Sequence, residues 1–276
     1  MEPTPSRPSL RARLHQPRFV AGLQRHVLDA FVLVTLWLAM CVVAVGVFGF
    51  LANSLPGVEP LEPRRSSVVV LVYGLAAAAI AVIVTSLRVP HGPLRRRVRR
   101  TFVRARMMTW RLVDDVLGLV VRSWARAGLL IGAGVAAAVI AVALSAVAIH
   151  IPALVATAPP TDARSEAVAN APGWVPPMFF AIVAPVPEEL MYRGPLLAVV
   201  AIAATLPSRR RRAVVVIIAL VVTSTWFGAG HLEWSMLNAV TATAGGLLYG
   251  SAAIVTRSLW PAIIAHAVFN AAAVFL

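Results

Sequence analysis

Runs of about twenty apolar residues, separated by short arginine-rich breaks, recur along this chain and constrain its fold more than any other feature. The hydrocarbon core of a bilayer is about 30 Å thick, a distance a helix crosses with about 20 residues. Within that core every backbone N–H and C=O must find its partner inside the protein, so only helices and closed barrels span it. The alternating apolar–polar strands of a barrel are absent from the sequence. The runs at about 30–52, 67–87, 127–150, 174–206, 213–231, 235–256 and 259–276 therefore predict an all-α, polytopic transmembrane helix bundle of about seven or eight spans. Composition excludes the soluble alternative. Only 13% of the 276 residues are charged, about half the usual share for a soluble domain, too little to cover a water-exposed surface.

The charge that is present is strongly one-sided. The formal net charge is +14, and every one of the 25 Lys-or-Arg residues is arginine. These arginines gather between the apolar runs: Arg95, Arg96, Arg97, Arg99, Arg100, Arg104, Arg106 and Arg111 in the segment 88–111, then Arg209–Arg212, then Arg257. That is the distribution of cytoplasmic loops under the positive-inside rule. It implies contact with a bilayer and its anionic lipids rather than with nucleic acid, and it places the N-terminus in the cytoplasm. Residues 1–26 read as a basic cytoplasmic tail and 27–276 as one transmembrane domain. The run at 30–52 is too long for a signal-peptide core, and no A-x-A site follows it, so it reads as an anchor. Segment 112–126, with Asp114, Asp115, Arg122 and Arg126, reads as an interfacial amphipathic helix or the lead into the next span. The polar loop 156–173 reads as extracytoplasmic. Cys41 is the single cysteine, so neither an internal disulfide nor a cysteine-based metal site can form. The lysine-free composition fits a GC-rich bacterial genome and hence a bacterial plasma membrane.

Charges inside the apolar runs carry the functional signal. The run 174–206 is interrupted by Pro185, Pro187, Glu188, Glu189, Arg193, Gly194 and Pro195. A charge at the bilayer centre costs about 2.5–3.5 kcal/mol on insertion scales, and pairing offsets part of that. Glu189 and Arg193 are four apart and share a helical face; Glu188 points about 100° away and is left over. A carboxylate kept from bulk water holds a proton more readily, as a general base near neutral pH requires. A structural ion pair that fixes packing is the plainer reading. His231 ends the run 213–231, with Phe227 on its face and Gly228 and Gly230 allowing another backbone to come close. His266 and Asn270 are four apart in the last run and face the same way. Asn238 and Glu233 read as interfacial. Together, a glutamate, two histidines and an asparagine supply a base, a proton shuttle and an oxyanion donor, the parts needed to hydrolyse an amide with water. A glutamate with two histidines can also hold Zn²⁺.

Three motifs run in order along these segments: E-E-x-x-x-R at Glu188–Arg193, F-x-x-x-H at Phe227–His231 and H-x-x-x-N at His266–Asn270. In that order and roughly that spacing, over 174–276, they resemble the CPBP family of intramembrane proteases, which includes type II CAAX prenyl endopeptidases and the bacteriocin-processing and Abi-type proteins. The resemblance implies an endopeptidase acting within the membrane on a peptide or membrane-protein segment. In it Glu188 activates a water with help from His231, His266 and Asn270 stabilise the oxyanion, and Arg193 orients the carboxylates, Glu189 among them. The chain lacks H-E-x-x-H, the arrangement that puts two zinc ligands on one helical turn. A metal-free mechanism is expected; if zinc is used, Glu188, His231 and His266 are the ligands. Two other readings stay open here. One is a catalytically idle membrane adaptor of the same fold. The other is a proton-coupled transporter, for which paired broken helices in two related halves are expected and only one proline-interrupted charged run is present.

Overall fold

A computed structural model describes residues 32, 34–47, 94–155, 184–232 and 235–275, with isolated positions between 74 and 85. The tail 1–26, the loop 156–173, Glu233 and most of the run 67–87 lie outside the described residues. Among those described there is no strand. The helices are α1 (Val34–Val47), α2 (Leu94–Trp110), α3 (Trp124–Ala148), α4 (Pro185–Ala203), α5 (Arg209–Ala229), α6 (Met236–Thr256) and α7 (Trp260–Phe275). A short π-helical stretch, Arg111–Val116, continues α2, and a single turn, Pro152–Val155, follows α3.

Serine hydroxyls start three of the long helices. Ser123 accepts from the Arg126 N–H, Ser208 from that of Arg211, and Ser235 from that of Asn238. Each satisfies a donor that the first turn of a helix leaves orphaned. Of the described helices α3, α5 and α6 are long and apolar enough to cross a bilayer. At 19 residues α4 has similar reach, about 28 Å, but carries Glu188, Glu189 and Arg193.

The packing has the character expected where lipid and core are equally apolar and helices associate through close approach. Small residues face inward: Ala138, Ala253, Ala262 and Ala265 have no exposed surface, while Val139, Ile140, Ile217, Ile218 and Val222 face outward. Helix α3 packs on α6 and α7, and α4 on α5, α6 and α7. At Gly134 of α3 a Cβ would stand 2.8 Å from the Ile264 side chain and 3.0 Å from the Pro261 carbonyl oxygen, so α3 and α7 come together there because the residue is glycine.

Pro185 and Pro187 of the run 174–206 mark a helix start. Pro185 sits at the start of α4, with Pro187 in the same first turn, where a missing N–H costs nothing; residues 174–183 lie outside the described residues. Of the two readings of 112–126, the amphipathic helix is corrected, while the last residues, from Trp124, do lead into the next span. The amphipathic element is α2 itself, with Thr101, Ala105 and Met108, and then Leu112 of the π-helical stretch, buried along one stripe and Arg99, Arg100 and Arg106 exposed. Its stripe follows the spacing of four, three and four that one helical face requires.

Residues 117–119 then leave the helical path and clasp the α6–α7 turn. Gly118 is left-handed at φ +57° and Arg257 at φ +51°. The Leu259 N–H donates to Leu117 O (2.8 Å), the Ser258 hydroxyl to Gly118 O (2.7 Å) and the Trp260 indole to Leu119 O (2.9 Å). The Arg126 guanidinium donates to Thr256 O beside them. The start of α7 is thereby tied down by backbone carbonyls.

Candidate active site

The site is built where the start of α4, the end of α5 and the middle of α7 meet. With the helix beginning at Pro185, Glu188 falls in its first turn, where the positive end of the peptide dipoles favours a carboxylate. Consecutive helices α4 and α5 pack together, so the beginning of one lies beside the end of the other. This brings Glu188 and Glu189 level with Phe227 and His231, which the hydropathy pattern alone had set at different depths.

Glu189 and Arg193 are fully buried, 0% and 1% exposed. Arg193 Nε stands 3.1 Å from Glu189 Oε2, the expected i, i+4 ion pair. Its alignment is not that of a hydrogen bond, and Oε2 makes none. The other carboxylate oxygen does: Glu189 Oε1 lies 2.8 Å from His266 Nδ1. A carboxylate can only accept when ionised, so Nδ1 carries the proton. His266 Nε2 then faces Glu188, 3.8 Å from its Oε2. The Glu188 side chain is 33% exposed, so the carboxylate left over by the ion pair is the one that looks outward.

Aromatic rings hold this chain of charges in place. The Arg193 guanidinium lies 4.3 Å over the Phe227 ring, with Tyr249 and Tyr192 at 5.8 and 6.0 Å, a cation–π setting that offsets part of its desolvation. Phe227 also meets His231 and His266 edge to face, at 4.7 and 5.5 Å between ring centres. Tyr249 stacks on His266 at 5.7 Å. The two histidines thus flank one phenylalanine. His231 lies in the turn just past α5, its Nδ1 2.8 Å from Phe227 O. A carbonyl accepts, so Nδ1 donates, and the neutral ring keeps its lone pair on Nε2. The same bond satisfies a carbonyl that the helix end would leave orphaned. Asn270 is buried on α7 one turn beyond His266.

Glu189, Arg193 and His266 are therefore joined directly, with Glu188 facing His266 across 3.8 Å and His231 against the Phe227 ring. Gly228 does face another backbone: a Cβ there would stand 2.7 Å from Ala239 O of α6. Gly230 instead faces the Tyr192 hydroxyl. Asn238 is half-buried, its N–H capped by Ser235. Sequence reasoning missed Tyr249 and Ser224. The glycines Gly245, Gly246 and Gly250 around Tyr249 were the available signal, since such spacing marks close helix approach.

Among the described residues there is no group of three or more His, Cys, Asp or Glu arranged to hold a metal ion. Glu188, His231 and His266 do not converge as a ligand set, and no step below is routed through a metal. Residues 170–272 match the family described as Rce1-like: Type II CAAX prenyl endopeptidase Rce1-like. All three motifs fall inside that stretch, which supports the resemblance they carry. No curated protein and no solved structure gave a match.

Proposed function

Starting from a CAAX-protease-family domain over 170–272, we propose that the protein is an intramembrane endopeptidase in which Glu188 activates the attacking water. The observation that carries this reading is the disposition of the two carboxylates. Glu189 is sealed between Arg193 and His266, while Glu188 is one-third exposed and faces His266 Nε2 across 3.8 Å. That gap is too long for a direct hydrogen bond and leaves room for an oxygen atom bonded to both.

Glu189 and Arg193 cancel. With Glu188 ionised as the base, a proton on His266 Nε2 balances its charge and serves as a donor. His266 then points an Nε2–H at the oxygen site. Glu188 takes a proton from the water, whose oxygen attacks the peptide carbonyl carbon. The carbonyl oxygen becomes an oxyanion and accepts from His266 Nε2–H and the Asn270 amide. The C–N bond breaks as the departing amine takes the proton from Glu188, with His231 assisting from beside Phe227. The substrate is a peptide or membrane-protein segment. The exposed arginines of α2, next to exposed Met107 and Trp110, suit an interfacial helix on anionic headgroups, with the N-terminus cytoplasmic in a bacterial plasma membrane.

Cleavage of a quenched fluorescent peptide library by the purified protein tests this, with Glu188→Ala and His231→Ala beside wild type and a chelator arm. Cleavage by wild type alone, unaffected by chelator, supports the glutamate mechanism. Chelator sensitivity restored by zinc supports a metal mechanism instead, and equal inactivity of all three proteins on a broad library removes the protease reading.

A further inference from the structure

Most hydroxyls inside these helices turn back on their own backbone. Thr223, Thr241, Thr243 and Thr256 each donate to the carbonyl four residues earlier, at 2.7–2.9 Å, the usual resting place of a helical hydroxyl. Ser224 does not. It is 1% exposed, and its Oγ has no hydrogen-bond partner among the described residues. Arg193, equally buried, leaves both Nη1 and Nη2 without one. Such groups are costly to leave unmet away from water.

The two side chains that carry these atoms lie close together. A Cβ built on Gly246 of α6 would stand 3.0 Å from Ser224 Cβ and 3.3 Å from Arg193 Nη2. The Ser224 and Arg193 side chains therefore meet at one face of α6, and the missing side chain of Gly246 is what lets both approach it. We propose that Arg193 and Ser224 share one buried water there, between α4, α5 and α6, and that Ser224 acts through it as a positioning residue for the Arg193–Glu189–His266 chain. A neutral molecule fits better than an anion, because the Arg193 charge is already met by Glu189 at 3.1 Å. A water also needs two or more polar partners in a buried site, and here it has the Ser224 hydroxyl and the two Nη groups. Held at its outer nitrogens, the guanidinium keeps Nε on Glu189, and Glu189 keeps Oε1 on His266 Nδ1.

The test uses the full chain in lipid nanodiscs, labelled with ¹⁵N-arginine and ¹⁵N-histidine, and needs no substrate, so it is decided apart from the hydrolytic reading. Wild type is expected to show magnetisation transfer between Arg193 Nη–H and a long-lived water, and a downfield His266 Nδ1 proton. Ser224→Ala, which removes a single oxygen, is expected to lose the transfer peak and move the His266 proton upfield. Gly246→Ala, whose methyl would press on both side chains, is expected to do the same, and the double variant to add nothing further. A His266 proton that stays put in Ser224→Ala overturns the positioning role. A transfer peak surviving in Gly246→Ala, or anomalous scattering from bromide at this spot in a crystal, overturns the water. If Gly246→Ala fails to fold, Ser224→Ala alone decides.

Discussion

Replacing Arg193 with methionine tests the central charge assembly directly. Arg193 and Glu189 are 1% and 0% exposed, and their contact is 3.1 Å. Removing one partner of a buried pair leaves an uncompensated charge, which costs about 3–5 kcal/mol. Loss of the cation over Phe227 at 4.3 Å adds about 1–2 kcal/mol for a desolvated site. His266 remains on Glu189 Oε1 and methionine refills most of the volume, so the expected net loss is about 3–5 kcal/mol. The measurement is reversible unfolding in mixed dodecyl maltoside–SDS micelles, comparing wild type, Arg193→Met, Glu189→Gln and the double variant. Neutralising both partners removes the stranded charge, so the double variant is expected to be at least about 2 kcal/mol more stable than Arg193→Met alone. A cost below about 1 kcal/mol for Arg193→Met, the range of an exposed pair, would refute the buried ion pair at the centre of the cluster.

Three further outcomes follow from particular contacts. Glu188→Gln is expected to lower peptide cleavage by about 10²–10⁴, the usual contribution of a positioned general base, with an unchanged melting temperature because that carboxylate is one-third exposed. Gly118→Ala places a Cβ at φ +57° against the Arg257 and Ser258 backbone; a loss of at least about 1–2 kcal/mol is expected in the same unfolding assay. Trp37→Phe removes the indole donor to Leu190 O (2.8 Å) and is expected to cost about 0.5–1.5 kcal/mol, read as a lower unfolding midpoint.

The parts of this site that follow from local spacing were legible in the sequence. Glu189 and Arg193 pair because four residues make one turn, and Phe227 meets His231 for the same reason. The level of each group was not legible. A hydropathy window registers that 174–206 is apolar but cannot register that α4 begins at Pro185, because a proline opening a helix and one breaking it are the same letter. That boundary alone moved Glu188 to the helix start and beside the end of α5. The clasp of 117–119 on the α6–α7 turn was invisible for another reason. Two of its three contacts to carbonyls come from a hydroxyl and an indole, the third from a backbone N–H, and the acceptors are main-chain atoms that every residue carries. The choice of Arg193's neighbours was equally tertiary: Tyr249 comes from α6, and only the glycines around it hinted at the approach.

The clasp bears on modularity. The stretch 170–272 holds every charged member of the site, yet its catalytic geometry is borrowed from elsewhere in the chain. The carbonyls that fix the start of α7 come from Leu117, Gly118 and Leu119, the helix against which α7 lies is α3, and the indole seated on α4 is Trp37. Excised, this stretch would keep its motifs and lose the braces that aim His266 at Glu188. The three-motif stretch thus leans on its housing, and domain transplantation would have to carry α1, the 117–119 loop and α3 along with it.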